Sequence, residues 1–219
     1  MALARIGQSE RIRILAAGRT DTGVHATGQV IAFELPGWRH GPTALQQALN
    51  ATLPMDIAVW ALEETHAGFH PRFDARSRTY RYVILSAPVR SPLARRQAWF
   101  VREALDLAAM CKASEVLIGQ HDFSTFGTAP QGENPVRIVY RAEWMTCPEE
   151  TEGGMFYAFT IEANAFLYRM VRSLVGALRE VGAGRMGIEC FRERFAARDR
   201  ALAAATAPAH GLTLIAVTY

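Results

Sequence analysis

An α+β architecture with a largely antiparallel, mixed sheet is expected from three features of the chain. Strand-like and helix-like segments follow one another without the strict alternation of a doubly wound sheet. Two long strand patterns, 136–145 and 155–163, face each other across an acidic turn, Glu149-Glu150-Thr151-Glu152-Gly153-Gly154. Half of the 219 residues are hydrophobic, enough for a sizeable core in one large domain or two small ones.

Taken in order, 12–17, 29–35 and 57–61 read as strands. A helix from Pro42 to Ala51 carries Leu45, Ala48 and Leu49 on one face and stops before Pro54. Segment 79–85 alternates Tyr80, Tyr82 and Ile84 with Arg81, Val83 and Leu85, the period of a strand. The loop 86–97, with Pro88 and Pro92, is the expected seam between an N-terminal half, 1–90, and a C-terminal half, 91–219. Helices are expected at 103–118, 164–181 and 188–204, and a closing strand at 212–219. No internal repeat or low-complexity segment interrupts this order.

Composition excludes several function classes. No apolar run approaches the roughly 20 residues of a membrane helix, and the first eight residues lack a signal-peptide core, so the cytoplasm is the default location. Cys111, Cys147 and Cys190 are odd in number and widely spaced, which argues against a disulfide framework and against a zinc site. The net charge of +3 is too small to establish an anionic partner. The basic residues are nonetheless one-sided in kind: Lys112 is the only lysine, and the rest are arginines, whose planar forks suit phosphates and bases.

The chemistry concentrates in Ala16-Ala17-Gly18-Arg19-Thr20-Asp21-Thr22-Gly23-Val24-His25-Ala26, which sets one carboxylate in a Gly-bounded loop after a strand. Spacing alone favours an Asx-turn, the commonest role of Asp beside Gly and Thr. On the helix expected at 164–181, Met170, Val171, Leu174, Val175 and Leu178 occupy one arc, while Arg169, Arg172, Gly176 and Arg179 share an adjoining one. No acidic residue lies between Glu162 and Glu180 to pair with these arginines locally. A solvated basic face is the competing reading for Arg169 and Arg179.

Other matches carry less. His121-Asp122-Phe123-Ser124 has the letters of a hydrolase triad, but such near neighbours rarely converge. Gly182-Ala183-Gly184-Arg185-Met186-Gly187 fits a dinucleotide fingerprint yet follows a helix, so a helix C-cap loop is expected. His66 and His70 are separated by Gly68 and followed by Pro71, against a shared helical face, and no metal is assigned.

The Asp21 run resembles the signature of the tRNA pseudouridine synthases. The likeness continues through Arg78-Thr79-Tyr80-Arg81-Tyr82, Gly119-Gln120-His121-Asp122-Phe123-Ser124-Thr125-Phe126, Asn164-Ala165-Phe166-Leu167, Met170-Val171-Arg172-Ser173-Leu174-Val175-Gly176 and Thr206-Ala207-Pro208-Ala209-His210-Gly211-Leu212. It implies two ferredoxin/RRM-like halves sharing one sheet, with helices on one face and the catalytic cleft on the other. It also implies isomerisation of uridine to pseudouridine at positions 38, 39 and 40 of the tRNA anticodon stem-loop, by a homodimer and without a cofactor.

Under that resemblance Asp21 is the nucleophile, attacking either C6 of the base or C1′ of the ribose. A carboxylate enclosed beside an apolar base stays ionised only if a cation compensates, and Arg172 is the implied counter-ion. Tyr80 is implied to stack on the uracil and help remove its C5 proton. Arg19 is implied to enter the space left by the everted base, an event costing on the order of a few kcal/mol. Asn164 and Phe166 open the arginine-bearing helix, and helix N-cap is the plainer role for Asn164. Arg78 and Arg169 join the RNA-binding set. Residues 76–102 hold Arg78, Arg81, Arg90, Arg95 and Arg96 with no Asp or Glu, as a phosphate track would.

The chain departs from the family at its start. Members carry a strand, a Gly- and Trp-bearing loop and a helix before the Asp21 run, whereas this sequence opens at what reads as the end of that helix. An unpaired sheet edge is the expected consequence. The alternative function is therefore a catalytically inactive RNA-binding module. An N-glycoside hydrolase using Asp21 is a weaker third reading, since no second carboxylate is evident.

Overall fold

A computed structural model describes residues 2–6, 12–129, 134–147 and 154–219. In chain order the elements are α1 (Ala2–Ile6), β1 (Ile14–Ala16), β2 (His25–Ala26), β3 (Ile31–Phe33), α2 (Gly41–Thr52), β4 (Ser77–Ser86), β5 (Trp99–Val101), α3 (Leu107–Ser114), β6 (Gly119–Asp122), β7 (Val136–Cys147), β8 (Met155–Ala163), α4 (Met170–Gly182), α5 (Ile188–Ala196) and β9 (Leu212–Thr218). The architecture is α+β, with a mixed and largely antiparallel sheet. The chain divides into two compact units.

The first unit comprises Met1–Gly18 and Val30–Asp74. Here β1 and β3 pair antiparallel, and Leu45 and Leu49 of α2 form a small core with Leu3, Phe33 and Trp38 among others. Segment 57–61, expected as a strand, runs without strand pairing. Side chains of α2 hold it instead: Gln46 donates to the Val59 and Trp60 carbonyls, and Asn50 exchanges two hydrogen bonds with the Val59 backbone. A polar helix face has taken the place of a neighbouring strand.

The second unit comprises Arg19–Gln29 and Ala75–Tyr219. Its seven-stranded sheet runs β2-β9-β4-β8-β7-β6, with β5 alongside β4. The pairings β2–β9 and β4–β5 are parallel and the others antiparallel. Strand β4 is the hub, touching β5, β8 and β9, and its alternation therefore feeds two cores. Tyr82 and Ile84 pack with Phe159, Leu174, Val175 and Leu178 beneath the helices, whereas Leu85 joins Phe156 and Ala98. The loop 86–97 links β4 to β5 inside this unit. The acidic turn falls outside the described residues except for Gly154.

Several expected helices are shorter than their apolar patterns. The 103–118 pattern resolves into α3 and a 3-10 turn at Glu115–Leu117, because Asp106 caps α3 by accepting from Ala109 N–H. The 188–204 pattern ends as α5 at Ala196, and a separate 3-10 turn spans Arg200–Leu202, capped by Asp199. The 164–181 pattern begins only at Met170. Before it, Tyr168 bridges to Thr128 by two backbone hydrogen bonds and Arg169 takes a left-handed φ of 59°, so the chain cannot yet be helical. The strands β5 and β6 are too short to show a pattern in sequence.

At the far end of α4, Arg179 pairs with Glu103 and Glu180 and lies over the Trp99 ring, while Arg185 binds the same two carboxylates. Arg179 is therefore an ion-pair residue and not part of a free basic stripe, as its sequence setting suggested. Hydrogen bonds from Arg185, with the nearby Arg179 charge, hold both carboxyls below their ordinary value of 4.5. A depressed carboxylate stabilises the fold above its unfolded value and loses that contribution as pH falls through the folded one. The cluster's contribution should thus be complete above pH 4.5 and fade progressively as pH falls below it. Thermal unfolding followed from about pH 7 to about pH 3 should show a smaller acid loss in Arg185→Ala than in wild type.

Candidate active site

The run containing Asp21 is held as a loop against the second unit's sheet. Gly23 has φ +86°, a conformation that favours glycine, and the Asp21 carbonyl accepts from Val24 N–H at 3.0 Å to close the turn. His25 and Ala26 then pair parallel with Thr213 and Leu214 of β9, and Thr27 and Gly28 N–H both donate to the Leu214 carbonyl. A Cβ on Gly28 would stand 2.3 Å from the Ile215 carbonyl oxygen, so only glycine allows this approach. The His25 ring adds a hydrogen bond to the Arg96 carbonyl.

With the turn closed by backbone, the Asp21 carboxylate is directed elsewhere. Arg172 Nη1 donates to Asp21 Oδ2 at 2.5 Å, joining residues 151 positions apart. The Asp21 side chain is 22% exposed and that of Arg172 14%, so each is largely withdrawn from water but reachable. Arg172 Nε donates to the Ala207 carbonyl at 2.8 Å, which fixes the guanidinium plane.

This pair lines an open cleft, about 150 Å³ in volume, with Arg19, Thr20, Val24, Tyr80, Phe166, Leu212 and the chain from Leu167 to Val171. Tyr80 and Phe166 meet edge to face at 5.1 Å. The cleft lies on the face of β4 that also carries Tyr82 and Ile84, at the N-terminal end of α4. This corrects the expected placement on the face opposite the helices: Tyr80 shares the sheet face on which α4 packs, and the cleft opens there where the helix begins. Burial pushes the Tyr80 phenol above its ordinary range, Arg78 opposes this and Asp21 adds to it, so the phenol is protonated near neutral pH. Two positions along the strand, Tyr82 is fully buried, donates to the Pro208 carbonyl at 2.8 Å and serves the core.

The remaining sequence-derived candidates fall into two groups. Arg19, Phe166 and Arg169 line the cleft, with the Arg169 guanidinium over the Tyr168 ring at 4.9 Å. Asn164 and Arg78 do not line it; they join its supporting strands. Asn164 is not the N-cap of α4, which starts six residues later: its Oδ1 accepts from Ile138 and Ala165 N–H, and its carbonyl accepts from Arg78 Nη1. Asp122 is spent on Ser124 and His121 on the Ile118 carbonyl, so no triad assembles there. His70 Nδ1 accepts from Arg72 and Phe73 N–H within a turn. Among the described residues no group of three or more His, Cys, Asp or Glu is placed to hold a metal ion. No helix among them is long and apolar enough to cross a membrane.

Sequence reasoning passed over the Ala207 carbonyl and the two histidines that tie loops to this site. A backbone acceptor carries no side-chain signal, and His210, which bonds the Ala98 carbonyl at 3.1 Å, acts on a segment 112 positions away.

The model of the tRNA pseudouridine synthase family matches residues 1–74 and 113–219. A tRNA pseudouridine synthase A from Thermotoga petrophila is 43% identical over 218 residues, covering 100% of this chain and 86% of that protein. One from Chloroflexus aurantiacus is 46% identical over 212 residues, covering 96% and 75%, and one from Neisseria gonorrhoeae is 42% identical over 219 residues, covering 100% and 80%.

Because Gly28 seats the loop on β9, Gly28→Ala should lower the free energy of unfolding by about 1–3 kcal/mol, the usual cost of overpacking. Chemical denaturation with an unchanged m-value checks this.

Proposed function

The chain belongs to the tRNA pseudouridine synthase family, isomerases that act on tRNA uridines, and from that membership we propose that Asp21 is the nucleophile of the reaction at positions 38, 39 and 40 of the anticodon stem-loop. The observation that carries this reading is the Asp21–Arg172 ion pair at an open cleft walled by two aromatic rings.

The reaction breaks the N1–C1′ bond of a uridine, turns the uracil and joins C5 to C1′; the C5 proton leaves and N1 gains one, so the change is an isomerisation with no external oxidant or reductant. Asp21 attacks C6 of the base or C1′ of the sugar, and later departs when the C5–C1′ bond has formed. Arg172 sets a cation against the carboxylate and keeps it aimed while the entering base displaces water. Tyr80 and Phe166 supply apolar surface on which a flipped uracil packs. A protonated Tyr80 contributes that surface and a hydrogen-bond donor in the ground state; it can take the C5 proton only after giving up its own, and N1, which gains a proton in the reaction, is the acceptor that balances the exchange.

Substrate recognition rests on shape and phosphates. Arg19 at the cleft mouth, and the exposed Arg81, Arg90, Arg95 and Arg96, belong to surface with no neighbouring acid in residues 76–102. Arg19 enters the stem as the target base leaves it. The His25 and His210 hydrogen bonds tie the 94–98 turn, which bears Arg95 and Arg96, to the segments carrying Asp21 and Ala207. Action in the cytoplasm as a homodimer completes the reading and is supported by family likeness.

Release of tritium from tRNA labelled at uridine C5 tests it. Wild type should release tritium and form pseudouridine. Asp21→Asn should release none while binding tRNA within about twofold of wild type, because phosphate contacts dominate affinity. Free uracil in place of the isomer would make the protein a hydrolase, and binding without release by wild type would make it a binding module. Arg172→Ala should lower turnover by about a hundredfold or more, as expected when a reacting group loses its alignment; an undiminished rate would remove Arg172 from the mechanism.

A further inference from the structure

Residues 203–208 form an irregular strap between the 3-10 turn Arg200–Leu202 and a second one at Ala209–Gly211, and they cross the first two turns of α4. Their contact with α4 is reciprocal at one residue. Ala207 N–H donates to the Arg172 carbonyl at 3.0 Å, and Arg172 Nε donates to the Ala207 carbonyl at 2.8 Å. Arg172 therefore has both its backbone and its side chain tied to the same strap residue. One guanidinium edge is spent, and Nη1 is left aimed at Asp21.

The height of the strap over the helix is set one turn further along. A Cβ built on Gly176 would lie 2.0 Å from the Ala205 carbonyl oxygen, against a lower limit of 3.0 Å for real contacts. Gly176 is buried in α4 whereas Ala205 is exposed, so the strap and not the helix is the partner that must give way. Lateral position is set by hydroxyls and a cation: Ser173 Oγ faces Thr206 Oγ1 at 3.4 Å, and Arg200 reaches Ser173 Oγ while donating to the Thr125 carbonyl at 3.0 Å.

We infer that Gly176, with Ser173 and Thr206, is a positioning element for the reaction, acting through the Ala205–Ala207 backbone to orient the Arg172 guanidinium toward Asp21. The close approach that only glycine permits is what brings the Ala207 carbonyl into reach of Nε. Adding one methyl must lift the strap by about 1 Å at Ala205, and the hydrogen bond at Ala207, two residues on, is the first to be lost. Arg172 then keeps its charge and its helix but not its aim.

This inference rests on the catalytic reading of Asp21 for its kinetic consequence only. In Gly176→Ala, turnover of C5-tritiated tRNA at saturating substrate should fall about ten- to a hundredfold, the scale of a small misplacement, with KM for tRNA within about twofold of wild type. The same protein, labelled with ¹⁵N-arginine, should lose the slowly exchanging Nε–H resonance of Arg172, assigned by its absence in Arg172→Lys. A merely structural role for Gly176 would leave that resonance in place. Thr206→Val, which deletes one hydroxyl from a half-buried site, should shift both readouts in the same direction by less, and it decides the matter if Gly176→Ala does not fold. A folded Gly176→Ala with wild-type turnover, or one whose turnover falls while the Nε–H resonance is unchanged, overturns the inference. A wild-type protein that binds tRNA and releases no tritium fails the catalytic reading alone, and the resonance then still decides whether the strap orients Arg172.

Discussion

Arg172 meets Asp21 across 151 residues of chain, and most of the second unit can be understood as what holds those two side chains together. Neither belongs to a segment that would find the other locally. Asp21 arrives on a glycine-shaped loop laid along β9, and Arg172 arrives on the first turn of a helix packed under β4. The pair is partly withdrawn from water, where an unpaired carboxylate or guanidinium would be costly, so each charge is the condition for the other's burial. An exposed pair would contribute little and would be reached by water as easily as by a base.

The hub strand β4 explains why a cleft and a core coexist on one sheet face. Tyr80 and Tyr82 point the same way, two residues apart, yet Tyr82 is sealed beneath Pro208 while Tyr80 looks across at Phe166 and the ion pair. The difference is set by where α4 begins. Because the chain reaches Met170 only after bridging to Thr128, the first helical turn starts beside Tyr80 and leaves open space above it. The Arg78–Asn164–Ile138 hydrogen bonds then fasten β4, β8 and β7 at the level of the cleft.

What could be read from sequence divides along the range of the interactions. The glycines around Asp21 made the loop legible but not its chemistry, which came from resemblance to the family since spacing alone favours an Asx-turn; β4 was legible because its alternation spans a full strand. The helix start at Met170 was not, since Phe166, Leu167 and Met170 continue an apolar helical spacing and only the distant Thr128 interrupts it. Arg179 looked free because its partner Glu103 lies far away in sequence and Glu180 is adjacent, outside the usual helical pairing distances. Segment 57–61 looked like a strand because its apolar residues are real, but Gln46 and Asn50 satisfy its backbone from a helix. The Ala207 clamp on Arg172 is a backbone contact and has no letter in the sequence.

Whether Asp21 and Arg172 act as one unit is decided by a double-mutant cycle on the rate of tritium release from C5-labelled tRNA. Asp21→Glu and Arg172→Lys keep both charges while moving them, so residual rates remain measurable. If the pair acts as a unit, the combined variant should be slowed by much less than the product of the two single losses. Losses that multiply independently would show that each residue contributes without reference to the other, and the pair would not be the unit on which turnover depends.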